Sequence, residues 1–235
     1  MIKSIILDYG GVLAYPLSGN WFIPYNLFSI VGKINAIKLL LKRNKLNKAF
    51  LKGNEYLKNN HKLFTEDEEY EQFRQFYKIV FSELKINLKE NVIAAISREI
   101  VYNDDKVKFY DDATDAIKKL KENYKVFILS DTWPSLKRVL NNKGILPLLD
   151  GFIMSCNHNE TKESTKLFEI AIQEWNINPG ECVFVDDSID NLKNADKAGF
   201  TSLLMDRKGT INEADYTVIN ELNEIKEIID NSEEE

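Results

Sequence analysis

Short apolar runs alternate along this chain with stretches whose apolar residues recur at helical spacing. Residues 4–7, 125–129, 151–154, 182–185 and 201–205 are rich in β-branched and aromatic side chains. They read as strands buried on both faces. Residues 112–123, 134–142, 166–175 and 190–198 between them carry the helical period. This alternation predicts an α/β fold, a doubly wound parallel sheet of the Rossmann-like kind with right-handed crossovers. The gap between the first two strands is far too long for one crossover. Within it, residues 33–59 and 66–84 are periodic, with Leu39, Leu40, Ile79, Val80 and Leu84 as apolar anchors, and residues 93–101 form a further candidate helix. The expected organisation is a core from residues 1–14 and 105–235 with a helical insertion at 15–104. Glu233, Glu234 and Glu235 are expected to form a solvated, frayed tail.

A chain of 235 residues, 44% hydrophobic and 29% charged, has enough material for a real core and the composition of a soluble globular protein. Its net charge of −6 argues against a general nucleic-acid partner. Cys156 and Cys182 have no CxxC spacing and no histidine cluster near them. Reduced thiols in a cytoplasmic protein are therefore expected rather than a zinc site. The first apolar run is broken by Asp8, unlike a signal peptide. No stretch approaches the roughly 18 apolar residues of a membrane span. The expectation is a cytoplasmic protein without membrane or nucleic-acid partners, its oligomeric state open. Charge is nonetheless uneven. Lys33, Lys38, Lys42, Arg43, Lys45, Lys48, Lys52, Lys58 and Lys62 are opposed over that interval by Glu55 alone. A solvated helix face explains this; steering of an anionic substrate is the functional alternative.

Chemistry-bearing residues sit at the ends of the predicted strands. The first run ends in Asp8-Tyr9-Gly10-Gly11. That is a carboxylate at a carboxyl strand end, where open sheets build sites, followed by glycines that permit a tight turn. The second strand ends in Ser130-Asp131-Thr132, offering a hydroxyl and backbone N–H groups as a phosphate cradle or simply a helix cap. The fourth ends in Asp186-Asp187-Ser188, followed by Asp190 and Asn191. Adjacent carboxylates at a buried strand end are costly without a cation or donors. Hard oxygen ligands in that number suit Mg2+. The structural alternative has Asp187 and Asp190 capping the next helix. Lys162, in the loop before that strand, is placed where it can neutralise a phosphoryl group or the carboxylates.

Asp8, Ser130, Lys162 and Asp186-Asp187, taken in this order, resemble the haloacid dehalogenase-like hydrolase superfamily. The resemblance also covers Pro179 and the Ala195…Ala198-Gly199-Phe200 run. It implies that Asp8 is a nucleophile that takes up a phosphoryl group. It further implies that Asp8, the Gly10 carbonyl and Asp187 hold Mg2+, with Asp186 close by. Ser130 and Lys162 would bind the transferring group, lined also by Gly11 and Asp131, and Asn191 would support the cluster. The insertion would be a cap that closes over the site and selects substrate. The implied substrate is a small phosphorylated metabolite, a sugar phosphate first. One departure stands out: Gly10 occupies the position where family phosphatases carry a second aspartate as general acid and base. Three readings follow, a Mg2+-dependent phosphatase, a domain that binds phosphate without efficient turnover, and a 2-haloacid dehalogenase.

Other residues carry weaker signals. His61 and His158 are too far apart in sequence to suggest a dyad, and His158 reads as a loop histidine. Trp21, Phe22, Tyr25 and Phe28 are expected in the core of the insertion, with the lining of a substrate pocket as the alternative. Trp133 is the better candidate for a ring that faces substrate.

Overall fold

The computed structural model describes every residue except Asn212 and Glu235, with the backbone alone at residues 232–234. The chain divides into two compact units. One comprises Met1–Tyr15, Lys108–Thr132 and Leu136–Glu235; the other comprises Pro16–Val107 and Trp133–Ser135.

The first unit is built on a six-stranded parallel sheet. Its strands are β1 (Ser4–Leu7), β4 (Lys125–Ser130), β5 (Gly151–Met154), β6 (Cys182–Asp186), β7 (Thr201–Met205) and β8 (Thr217–Ile219), in the order β5-β4-β1-β6-β7-β8. Two short strands, β2 (Ala14–Pro16) and β3 (Val107–Phe109), form a separate two-stranded sheet. The first five strands of the main sheet start where the apolar runs start. The sixth, β8, was not anticipated. The helices flanking the sheet are α5 (Ala113–Leu120), α6 (Ser135–Asn142, whose first residue groups with the other unit), the single turn α7 (Ser155–His158), α8 (Lys166–Trp175), α9 (Ile189–Lys197) and α10 (Glu224–Glu234). The backbone at Glu233 and Glu234 belongs to α10, while Glu235 lies outside the described residues. Every β1 residue is buried, as a central strand covered on both faces requires. The core beside it joins Ile6, Phe127, Leu129, Phe168 and Phe184, with Phe168 edge-on to Phe184 at 5.2 Å.

The sheet order fixes where chemistry can be placed. The chain moves outward from β1 through β4 to β5, then returns to the other side of β1 with β6. The carboxyl ends of β1 and β6 therefore flank the switch point, where ligands bind in open α/β sheets. Leu7 pairs with Val185, which brings the residues following both strands side by side.

The second unit is helical: α1 (Leu27–Leu41), α2 (Leu46–Asn59), α3 (Glu66–Glu83) and α4 (Glu90–Tyr102). The single periodic stretch expected at 33–59 is two helices separated by a 3-10 turn at Arg43–Lys45. Gly32, at φ 77°, breaks α1 just before Lys33. Thr65 and Glu68 form a reciprocal capping box that starts α3. The core gathers Phe73, Phe76, Tyr77, Val80 and Ile96. Contrary to expectation, Trp21, Tyr25 and Phe28 are exposed outside this core, and only Phe22 of the four packs against it. Among the described residues no helix is long and apolar enough to cross a membrane.

Candidate active site

Asp8 follows β1 directly, and its N–H donates to the Val185 carbonyl of β6 at 2.9 Å. That bond carries the parallel register one step beyond the strand and sets Asp8 beside Asp186, the last residue of β6. Asp187 comes next. One carboxylate oxygen from each of Asp8, Asp186 and Asp187 lies within 4.8 Å of the other two. Asp8 and Asp186 are buried, whereas Asp187 reaches solvent.

Such crowding requires compensation, and Lys162 supplies it. Its ammonium lies 2.7 Å from Asp8 Oδ1 and 2.5 Å from Asp186 Oδ2. The Lys162 side chain is only 1% exposed, which makes this loop lysine one of the most buried groups of the protein. Burial opposes its charge, but Asp186, Asp8 and Asp131 more than offset that and hold the ammonium above the ordinary lysine range. Asp186 is further satisfied by the Ser188 N–H at 2.8 Å and by the Asn191 amide at 3.1 Å to each oxygen. The Asn194 amide holds the Lys162 carbonyl at 2.9 Å. Asp8 is less well served. Its Oδ1 meets Lys162 as an ion pair but has no partner in hydrogen-bonding geometry. Burial, opposed by Lys162 and aided by Asp186 and Asp187, pushes the Asp8 carboxyl up to about 7. Desolvation and the adjacent Asp186 raise Asp187 to about 6.

The turn after Asp8 is shaped to this cluster. Gly11 has φ 76°, and a Cβ there would fall 2.0 Å from Asp187 Oδ2. A side chain at that position would displace the carboxylate. The turn's hydrogen bonds run from Gly11 N–H to the Ala14 carbonyl and from Leu13 and Ala14 N–H to the Tyr9 carbonyl. None of them uses the Gly10 carbonyl. Arg207 anchors the far side of the turn, donating through Nη2 to the Val12 carbonyl at 2.6 Å and through Nη1 to Asp112 at 2.8 Å.

The Ser130 segment differs from a simple cradle. Ser130 ends β4 and is buried. The Asp131 carboxylate accepts the Lys162 backbone N–H at 3.1 Å. The Thr132 N–H is taken by Ser155 Oγ at 2.9 Å. At Ser135 the N–H and hydroxyl are both held by Glu69, at 2.7 and 2.8 Å. One of the backbone donors expected to cradle phosphate, the Thr132 N–H, is thus committed to a protein partner. Trp133 is committed as well: its ring packs against Phe73, Phe22 and His61, and its Nε1 donates to Gln72 at 2.7 Å. His158 faces Glu174 across 3.7 Å. Ser188, rather than Asp187 or Asp190, caps α9 by accepting from the Asn191 N–H.

Sequence reasoning missed Ser188 and Asn194, which carry no catalytic signature, and also Glu69. The Glu66-Asp67-Glu68-Glu69 run reads as the solvated start of a helix. Only the helical period, which turns the fourth residue inward, could have separated Glu69 from its neighbours.

An acidic trio, two members of which are bridged by a buried lysine, thus sits at the switch point of a doubly wound, Rossmann-like sheet. The haloacid dehalogenase-like hydrolase family model matches residues 2–199, and the chain belongs to that family. Comparison with curated proteins finds no sequence match. Solved structures share the fold at low identity. A phosphatase of this superfamily from Thermococcus onnurineus is 21% identical, with TM-score 0.57 over 97% of this chain and 98% of that one. The L-2-haloacid dehalogenase from Xanthobacter autotrophicus with chloropropionic acid covalently bound is 16% identical, with TM-score 0.63 over 98% and 99%. The 2-haloacid dehalogenase from Pseudomonas syringae is 13% identical, with TM-score 0.66 over 99% and 100%. The neighbours thus include both phosphatases and carbon–halogen hydrolases.

Proposed function

We propose that this hydrolase is a Mg2+-dependent phosphatase acting on a small phosphorylated metabolite, with a sugar phosphate favoured. The observation that carries this reading is the third carboxylate. A nucleophile attacking carbon needs Asp8 and a cation to hold it, which Lys162 provides. It has no use for Asp187, a further carboxylate that raises the electrostatic cost of the site. Three convergent carboxylates, an unshared Gly10 carbonyl and a glycine that leaves room for Asp187 fit a hard divalent cation. Asp8, Asp187 and the Gly10 carbonyl would hold Mg2+, with Asp186 adjacent. Bound there, the ion supplies charge neutralisation for an incoming phosphoryl group and keeps Asp8 ionised.

This chain's own residues divide the remaining work. Asp8 attacks phosphorus through a carboxylate oxygen, the ester oxygen departs with its electron pair, and water later releases phosphate from the aspartyl group. Lys162, already paired to Asp8 and Asp186, offsets charge on the transferred oxygens. Ser130, buried at the end of β4, would donate its hydroxyl to the transferred group. Gly10 supplies no proton to the leaving oxygen, so substrates with poor leaving groups lose most, within the ~10²–10⁴-fold that general acid–base help provides. The helical unit acts as the substrate-selecting cap. A cytoplasmic location is part of this reading.

The test is phosphate release from a panel of small phosphate esters, with Mg2+ and with chelator, for the parent chain and Asp8→Asn. Turnover abolished by both chelator and Asp8→Asn supports the reading. Turnover that survives chelator, or chloride release from a 2-haloacid, overturns it. Mg2+ binding without turnover on any ester assigns the chain instead to phosphate binding without efficient chemistry.

A further inference from the structure

The helical unit presents a surface that hydrolysis does not require. Beyond Gly32, α1 is apolar on nearly every side. Leu39 faces the core of the unit, while Ile34, Ile37, Leu40 and Leu41 are 72%, 58%, 62% and 78% exposed. Ile34, Ile37 and Leu41 stand at i, i+3 and i+7, which aligns them in one stripe with Leu40 alongside. Singly exposed apolar residues are ordinary; a contiguous stripe marks a contact surface.

A cavity adjoins the stripe. It has a volume of about 250 Å3 and is lined by Phe22, Leu39, Leu40, Phe50 and Tyr77 among others, with Arg43 the one charged residue in its wall. The Tyr77 hydroxyl is already spent on the Phe22 carbonyl at 2.9 Å. Leu40 belongs to both stripe and cavity. An apolar cavity of about 150 Å3 holds benzene, so this one accommodates roughly ten hydrocarbon atoms.

Charge selects the occupant. Lys33, Lys38, Arg43, Lys45 and Lys48 are exposed on the same stretch. Lys42 and Lys52, by contrast, are held by the Leu84 carbonyl and by Glu83. A second copy of the chain seated about a two-fold axis would set these cations against their own images. An anionic surface would gather them. Basic residues surrounding an apolar stripe are the composition of segments that lie in a membrane interface, and each lysine near anionic lipid adds to the attraction.

We propose that the Ile34, Ile37, Leu40 and Leu41 face of α1 docks the protein onto an anionic membrane surface. The stripe enters the headgroup boundary, the cavity receives part of an acyl chain, and Lys33, Lys38, Arg43, Lys45 and Lys48 meet lipid phosphates. No spanning segment is needed, so the absence of an apolar run long enough to cross a bilayer is compatible with this docking.

The experiment is co-sedimentation of the full chain with vesicles of phosphatidylglycerol and phosphatidylcholine, against phosphatidylcholine alone, at low and raised salt. Binding is expected to the anionic vesicles only and to weaken with salt. The Lys45→Glu/Lys48→Glu pair should reduce affinity about tenfold or more. Ile37→Ser/Leu41→Ser should reduce it comparably, at an unchanged melting temperature because the positions are exposed. Absent binding, equal binding to neutral vesicles without salt dependence, or variants that bind like the parent overturn the proposal. So does self-association that Ile37→Ser/Leu41→Ser abolishes without vesicle binding, which assigns the stripe to a second copy. Capture by an acidic polypeptide but not by vesicles overturns it in favour of a protein partner.

Discussion

Removing the Lys162 ammonium would leave Asp8 and Asp186 side by side at a buried strand end, with the Ser188 N–H and Asn191 amide serving Asp186 alone. Breaking a buried charge pair typically costs about 3–5 kcal/mol. Lys162→Met is therefore expected to lower the unfolding free energy by about that amount in urea titrations at pH 7.5. A change below about 1 kcal/mol would mean that the pair relaxes by taking up a proton. Glu69 gives a separate pH prediction. Burial, only partly offset by the hydrogen bonds from Ser135, pushes its carboxyl up to about 7 from an unfolded value near 4.5. The folded state then binds the proton more tightly. The associated stability is fully present below about 4.5 and is lost as pH rises through about 7, roughly 3 kcal/mol in all. Urea midpoints should fall over that interval, and Glu69→Gln should flatten the fall. At this scale the sequence was readable where chemistry is written in adjacent residues, as in Asp8-Tyr9-Gly10-Gly11 and Asp186-Asp187. It was silent on the burial of Lys162, because a loop lysine flanked by Thr161 and Glu163 has no local signature of enclosure.

The strands were legible because a buried parallel strand has to be an unbroken apolar run, as at Ile5-Ile6-Leu7 and Val183-Phe184-Val185. The three residues of β8 are too few to make such a run. In the helical unit, Arg43–Lys45 interrupts a periodic stretch with exposed polar residues, whose placement no apolar spacing reports. Gly53 lies inside α2, where glycine ordinarily costs helix stability, and its reason is packing. A Cβ there would approach the Phe76 ring to 2.6 Å and Val80 to 2.9 Å. Gly53→Val should therefore destabilise by about 1–3 kcal/mol through overpacking of α2 on α3, measured by thermal melts. A stabilised variant would show that Phe76 turns aside freely.

Across the whole molecule the two kinds of charge are sorted. Net charge is −6, yet acidic groups converge at the strand ends while the α1–α2 segment is basic. A cation that binds the trio binds only the folded chain, so Mg2+ should raise the melting temperature by mass action. That shift corresponds to about 2.7 kcal/mol at a hundredfold excess over the dissociation constant. Asp187→Asn should remove most of the shift, and an unchanged shift would place the ion elsewhere.

The interleaving of the chain also sets a timetable. Strand β1 is made first, but its two neighbours, β4 and β6, are encoded after the whole helical insertion. At about 5–20 residues per second, a ribosome needs on the order of ten seconds or more to go from Asp8 to Asp187. During that time Ile5, Ile6 and Leu7 have no sheet to enter, and the strand that leads to Asp8 is exposed as a sticky hydrophobic end. A nascent chain arrested before Cys182 cannot assemble the acidic trio. Synthesis through Asp187 is thus a precondition for the site, and chaperone engagement during translation should concentrate on the first strand.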